Sequence, residues 1–169
     1  RSSAIFPAIQ NNFHSTNILF LGYWLIKRKI REITILITLR SQEGKIVSRN
    51  TLLVDSPKSY SIELNSLLQN ISNKNSEFFG SIELEIFSTQ DMVFPYPALV
   101  LQYYGENFNT CVHTLGRIYN DFEDLNENEV FRVPESGFDI SCNDDLQPFI
   151  SFVNGPIINK NAILNYTIT

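Results

Sequence analysis

Side chains suited to acid–base chemistry lie close together between Cys111 and Asp121. Alternate residues of a strand share a face, so Cys111 and His113 are predicted to point the same way. A histidine near Arg117 and Asp121 could act as a general base beside a cation that stabilises an oxyanion. The competing interpretation, which we favour, is a half-buried histidine in a sheet, with Arg117 bonded to a nearby carboxylate. We therefore predict no catalytic residue and keep His113, Arg117 and Asp121 as the candidates.

An acidic stretch farther along the chain has the ligand spacing of a calcium loop. Oxygen-bearing side chains stand at the first, third, fifth and twelfth positions of such a loop: Asp124, Asn126, Asn128 and Glu135. The sixth position, where the sharp turn needs glycine, is Glu129. Residues 119–145 carry nine acidic side chains against one arginine. We predict a solvated acidic loop and no cofactor, with Ca²⁺ as the alternative.

The common catalytic and metal motifs are absent from the sequence. There is no phosphate-binding glycine loop, nucleophile elbow or HExxH motif. Two histidines exclude a three-histidine zinc site, and the two cysteines, Cys111 and Cys142, lack zinc-finger spacing. We expect these cysteines to be free thiols, although one disulfide between them is the alternative.

An aromatic segment rich in amides gives the main indication of a binding site. The predicted ligand-contacting residues are Tyr96, Tyr103, Tyr104, Phe108 and Asn109. Aromatic rings can stack on the apolar faces of sugars, and amides can bond their hydroxyl groups. Tyr103 and Tyr104 must point to opposite faces of a strand. The alternative is that these rings belong to a hydrophobic core and its rim.

Composition indicates the fold that must position these residues. The chain has 169 residues, with 20 Ile, 8 Val and 9 Thr against 4 Ala, a balance typical of strands. About ten short strands separated by turn residues predict an all-β, two-sheet antiparallel sandwich of jelly-roll or immunoglobulin-like type. At most one short helix is expected, near 65–74. We predict an N-terminal arm or loop at 1–16 and a single sandwich domain at 17–169.

Several local elements follow from alternation of apolar and polar residues. Residues 17–26 are predicted to form one buried strand because they are almost continuously apolar. Residues 31–39 and 45–54 are predicted to pair as a hairpin around Gly44, and residues 79–87 to form a strand with Glu83 facing outward. The basic run at 27–31 is interpreted as a solvated bend between two strands.

Charge and motif content narrow the possible functions. The net charge is −5, formed from +6 over residues 1–60 and −11 over residues 61–169. An acidic chain without a broad basic face is not expected to bind nucleic acid. The longest apolar run is nine residues, too short for a membrane span, which needs about 20. We predict a non-catalytic binding or accessory module that contacts a carbohydrate or a protein. The alternatives are a structural or assembly subunit that forms oligomers, and an enzyme on a sugar-like substrate with His113 as acid or base.

Overall fold

The computed structural model describes residues 2–69, 77–90, 98–115 and 117–118, together with positions 145, 150–151, 153, 163 and 165–167. Within these residues the chain forms nine strands and two short helices. The strands are β1 Ser2–Gln10, β2 Ser15–Leu21, β3 Ile33–Ser41, β4 Ile46–Val54, β5 Ser59–Glu63, β6 Phe78–Ser88, β7 Ala98–Tyr104, β8 Asn109–Leu115 and β9 Arg117–Ile118. The helices are α1 Tyr23–Arg28 and α2 Leu64–Leu68.

The strands form two antiparallel sheets that pack face to face, which confirms the predicted β-sandwich. One sheet has the order β4-β3-β6-β1-β9 and the other the order β5-β2-β7-β8. The shared core is built from the inward-facing residues of both sheets, among them Ile33, Ile35, Ile37, Leu39, Ile82, Leu84 and Ile86 on one side and Ile18, Phe20, Tyr60, Ile62, Leu99 and Leu101 on the other. Each large apolar side chain buried in this way stabilises the fold by about 1.5–3 kcal/mol.

The predicted hairpin is confirmed. Strands β3 and β4 pair from Ile33 opposite Val54 to Arg40 opposite Ile46. Gly44 adopts a φ of 78° in the turn between them, a conformation that glycine adopts without steric cost. The strand predicted at 79–87 is also present as β6, which lies between β3 and β1.

The prediction of an arm or loop at 1–16 is wrong. Residues 2–10 form β1, which pairs with β6 along its whole length. Its inward residues include Ala4 and Ala8, so its apolar alternation is weak in the sequence, and Pro7 suggested a loop. Proline is tolerated here because, among the described residues, the other neighbour β9 pairs only with Ser2 and Ser3.

The prediction of one strand over residues 17–26 is wrong in its second half. Strand β2 ends at Leu21, and α1 begins at Tyr23 after Gly22. A side chain at Gly22 would meet the Ser56 carbonyl oxygen, so the chain turns where only glycine fits. The basic run at 27–31 consequently begins in the last turn of a helix, which ends at Arg28, and continues into the residues after it, rather than forming only a bend between two strands.

The expectation of at most one helix is therefore also wrong, since the described part of the chain contains α1 as well as α2. The helix expected near 65–74 is present in part. It begins one residue earlier and ends at Leu68, and residues 70–74 lie outside the described residues. Leu64 anchors it with 1 % of its surface exposed.

Candidate functional site

The outer face of the four-stranded sheet carries a chain of hydrogen-bonded polar side chains, one from each strand. The Ser61 hydroxyl on β5 donates to Asn17 Oδ1 on β2 at 2.9 Å. Asn17 Nδ2 donates to Gln102 Oε1 on β7 at 3.3 Å. Gln102 Nε2 in turn donates to Asn109 Oδ1 on β8 at 3.2 Å. We call these four residues the amide chain.

Alternation along the strands positions the amide chain. On β2, Thr16, Ile18 and Phe20 face the core, so Asn17 between them must face outward. Asn17 is only 8 % exposed because it lies on a central strand. A buried amide needs partners, and both ends of the Asn17 side chain have one. The two ends of the amide chain, Ser61 and Asn109, are exposed.

All three bonds of the amide chain run in the same direction, from β5 towards β8. Asn17 and Gln102 each accept at the side-chain oxygen and donate from the side-chain nitrogen, an arrangement in which neighbouring bonds polarise one another. No described residue accepts a hydrogen bond from Asn109 Nδ2. Among the described residues, the amide chain therefore ends at Asn109, an exposed residue on β8.

Exposed rings lie at the end of the sheet where Asn109 begins β8. The β1–β2 and β7–β8 turns meet there, and the His14 and Phe108 rings are 5.1 Å apart. Phe13 is 74 % exposed and Phe108 40 % exposed. Asn11 Oδ1 holds the first turn by accepting bonds from the Phe13 and His14 amides at 2.8 and 2.7 Å. We call Phe13, His14 and Phe108 the aromatic end.

The predicted ligand-contacting residues divide between the two faces of the sheet. Tyr103 and Tyr104 point to opposite faces, as the alternation requires. Tyr103 faces inward and packs against the core, where its hydroxyl donates to the Pro7 carbonyl oxygen. It therefore does not share the outer face with the other predicted ligand-contacting residues that the structure describes. Tyr104 lies opposite both Ser15 and Asn109. Phe108 and Asn109 are exposed beside it, and Tyr96 lies outside the described residues.

The candidate catalytic residues lie on different sheets. His113 is exposed on β8, opposite Val100, whereas Arg117 begins β9 opposite Ser3. Asp121 lies outside the described residues. Cys111 carries an exposed free thiol opposite Gln102, and its strand position gives it the same face as His113. Cys142 also lies outside the described residues.

The calcium-like spacing at Asp124, Asn126, Asn128 and Glu135 falls outside the described residues. Within the part that the structure describes, no group of three or more histidine, cysteine, aspartate or glutamate side chains could hold a metal ion. That same part contains no helix whose length and apolar character would let it cross a bilayer.

Of the four members of the amide chain, only Asn109 was among the predicted ligand-contacting residues, and Asn17, Ser61 and Gln102 were missed. The available indication was Asn17 itself, a single amide at the start of an apolar run. Because the four residues come from four strands, only the register of the sheet shows that they meet. The chain matches no protein-family model, no curated protein and no solved structure.

Proposed function

We propose that the protein is a non-catalytic carbohydrate-binding module that contacts sugar through the outer face of its four-stranded sheet. The observation that carries the proposal is the amide chain, which ends in the exposed Asn109 donor beside the aromatic end. Sugars present hydroxyl groups around apolar ring faces. The exposed Asn109 amide next to exposed rings offers partners for both.

The arrangement of the amides favours binding because it is formed in advance. Gln102 is fixed by bonds at both ends of its side chain, to Asn17 and to Asn109. Ordering a free side chain at an interface costs about 0.5–1.5 kcal/mol, and amides already held in place avoid most of this cost. Four strands at a spacing of about 4.8 Å span about 14 Å, which suits an oligosaccharide better than a single sugar.

Binding can be tested with an array of neutral and acidic glycans, followed by titration calorimetry with any glycan that binds. We expect Asn109→Ala to weaken binding at least tenfold without changing the free energy of unfolding by more than about 0.5 kcal/mol, as for other exposed positions. Gln42→Ala is the matched control, since Gln42 is an exposed amide in the β3–β4 turn of the other sheet. The proposal fails if no glycan binds, or if Asn109→Ala binds as tightly as the unchanged protein.

A second candidate function is self-association through β8, which is an edge strand among the described residues. Its residues 109–113 are exposed, Val112 at 50 %. The strand contains no proline and no lysine, arginine or acidic residue, the features that usually protect sheet edges from pairing. An assembly subunit would use such an edge to extend the sheet into a second molecule.

Sedimentation velocity over a range of protein concentrations tests this second candidate. We expect dimers that Val112→Lys converts to monomers, because a lysine disfavours edge pairing. Leu53→Lys on the β4 edge is the control, since Leu53 is 59 % exposed on the other sheet. A protein that remains monomeric at every concentration excludes assembly through β8.

A further inference from the structure

The opposite end of β2 from the aromatic end carries a dense group of basic side chains. Lys27, Arg28 and Lys29 are exposed in and immediately after α1, and Arg31 is exposed two residues farther on. The buried side chains of Trp24 and Ile30, 2 % and 4 % exposed, anchor the helix and the residues after it. The charges are therefore held on a fixed part of the fold.

Lys58 joins this group from the β4–β5 connection. The Gly22 amide donates to the Lys58 carbonyl oxygen at 2.9 Å, which fixes this connection beside the start of α1. The Lys58 ammonium lies 5.2 Å from the centre of the Tyr60 ring. We call Lys27, Arg28, Lys29, Arg31 and Lys58 the cationic end.

Few acidic side chains lie in the described segments that carry the cationic end. Residues 21–32 and 53–60 contain these five basic residues and two acids, Glu32 and Asp55, a net charge of +3 in a chain whose total is −5. Both acids already have partners, since Glu32 accepts a bond from the Thr89 hydroxyl and Asp55 from the Ser56 hydroxyl. Within these two described segments the net charge is thus opposite in sign to that of the whole protein.

The same segment of the chain also carries exposed apolar side chains. Leu21, at the end of β2, and Ile26, within α1, are each 53 % exposed. A polyanion in solution offers charge but no apolar phase for such side chains. An anionic bilayer offers both, because basic residues meet the lipid headgroups while apolar residues enter the boundary with the acyl chains.

The backbone at Lys29 gives independent support. Lys29 has a φ of 55°, and it is the only residue other than glycine with a positive φ among those described. The position after a helix that takes this conformation usually holds glycine. Here it holds a side chain that adds a charge to the cationic end, at a conformational cost that glycine would avoid.

We propose that the cationic end docks the protein on anionic phospholipid bilayers, with Leu21 and Ile26 entering the interface. The proposal does not depend on carbohydrate binding. The attraction of an anionic surface adds up over the basic residues that lie near it, so several together suffice for reversible attachment. Asn109 lies beside the start of β2, and Leu21 is the last residue of this strand. In a docked molecule, Asn109 would therefore lie at the end of the sheet that is farther from the bilayer.

Co-sedimentation with lipid vesicles tests the proposal on the intact protein. We expect binding to vesicles of equimolar phosphatidylcholine and phosphatidylserine, and at least tenfold weaker binding to phosphatidylcholine alone. Lys29→Glu should weaken binding about thirtyfold, because it changes the charge by two at about 1 kcal/mol each. Lys45→Glu, an exposed lysine in the β3–β4 turn, is the matched control and should reduce binding less than threefold.

The variant Ile26→Ser distinguishes binding to a bilayer from binding to a polyanion in solution. We expect it to weaken vesicle binding at least threefold while leaving the binding of polyphosphate unchanged. Thermal unfolding of each variant verifies that the fold is intact. The proposal is overturned by equal binding to the two vesicle types, by equal effects of Lys29→Glu and Lys45→Glu, or by vesicle binding that Ile26→Ser leaves unchanged.

Discussion

The Tyr103 hydroxyl donates a hydrogen bond to the carbonyl oxygen of Pro7 at 2.9 Å, which joins β7 of one sheet to β1 of the other. The bond lies at the interface between the sheets, where Tyr103 packs against the core. Burial raises the pKa of the Tyr103 hydroxyl above its usual value of 10.0, because the phenolate would lose its hydration there. Tyr103 thus supports the sandwich, whereas Tyr104, its neighbour, belongs to the outer face.

Replacing Tyr103 by phenylalanine removes this bond and leaves the ring in place. We expect Tyr103→Phe to lower the free energy of unfolding by about 0.5–1.5 kcal/mol, the net value of one hydrogen bond. Urea denaturation measures the change. Tyr104→Phe is the control and should cost less than about 0.5 kcal/mol, because Tyr104 is partly exposed on the other face. Equal losses for the two variants would contradict the role assigned to Tyr103.

The raised pKa of Tyr103 also predicts how stability depends on alkaline pH. The folded protein binds the phenolic proton more tightly than the unfolded chain does. This contribution to stability is therefore complete below the unfolded pKa of about 10 and is lost as the pH rises through the folded pKa. We expect an absorbance titration of the tyrosines to show one fewer group that ionises at high pH in Tyr103→Phe than in the unchanged protein. An identical titration curve above pH 10, apart from overall amplitude, would contradict this prediction.

An ion pair lies on the outer face of the five-stranded sheet. Arg40 Nη2 lies 3.0 Å from Glu83 Oε2, and the Glu83 side chain is only 5 % exposed. We expect Arg40→Ala to lower the free energy of unfolding by about 2–3 kcal/mol, because it leaves a buried carboxylate without its cation. Arg40 is itself 27 % exposed, so the loss should fall below that of a fully buried pair.

Equilibrium denaturation of two further variants checks the origin of that loss. Lys45→Ala removes an exposed cation from the same hairpin and should cost less than about 0.5 kcal/mol. The double variant Arg40→Leu/Glu83→Leu should be more stable than Arg40→Ala, since it removes the buried charge as well as its partner. A loss in Arg40→Ala no greater than in Lys45→Ala would show that the pair contributes nothing.

The sequence predicted the elements whose alternation is strong and local. Strands β3 and β4 alternate clearly around Gly44, and the inward isoleucine and leucine residues of β6 follow the same rule. Glu83 shows the limit of that rule. Alternation correctly places its side chain on the outer face, but the exposed fraction of a side chain on that face also depends on which other side chains lie over it. Its contact with Arg40 joins residues 43 positions apart in the chain, and no local pattern contains it.

The elements that the sequence missed depend on distant contacts. Strand β1 gains its stability from pairing with β6, about 80 residues away in the chain, and its small inward side chains give little local indication. Helix α1 has six residues, of which only the first four belong to the apolar run, too few for a helical period to be told from that of a strand. The amide chain likewise requires the register of four strands, whereas Tyr104, Phe108 and Asn109 could be proposed from their types alone.

Gly105 is expected to hold the aromatic end together. A Cβ atom there would overlap the Phe13 carbonyl oxygen and the Phe108 ring, so an alanine must displace one of the two turns. We expect Gly105→Ala to lower the free energy of unfolding by about 1–3 kcal/mol, as overpacking does. Chemical denaturation measures the loss, and near-ultraviolet circular dichroism should change because the rings move.

Gly44→Ala is the matched control for steric overlap. No atom lies within 4 Å of a Cβ at Gly44, although its φ is positive, so only backbone strain of about 1 kcal/mol is expected. The near-ultraviolet spectrum should remain unchanged in this variant. If Gly105→Ala leaves both stability and spectrum intact, the two turns are not packed as described.

Lys29 provides a test of strain at the cationic end. The left-handed conformation costs an L-residue about 1–2 kcal/mol, a cost that glycine avoids. Glycine also has more conformational freedom in the unfolded chain, which offsets part of this gain in stability. We therefore expect Lys29→Gly to be more stable than Lys29→Ala by about 1 kcal/mol in thermal or urea unfolding. Both variants lack the charge and should bind anionic vesicles equally weakly. Equal stability of the two would show that the backbone at this position is not strained.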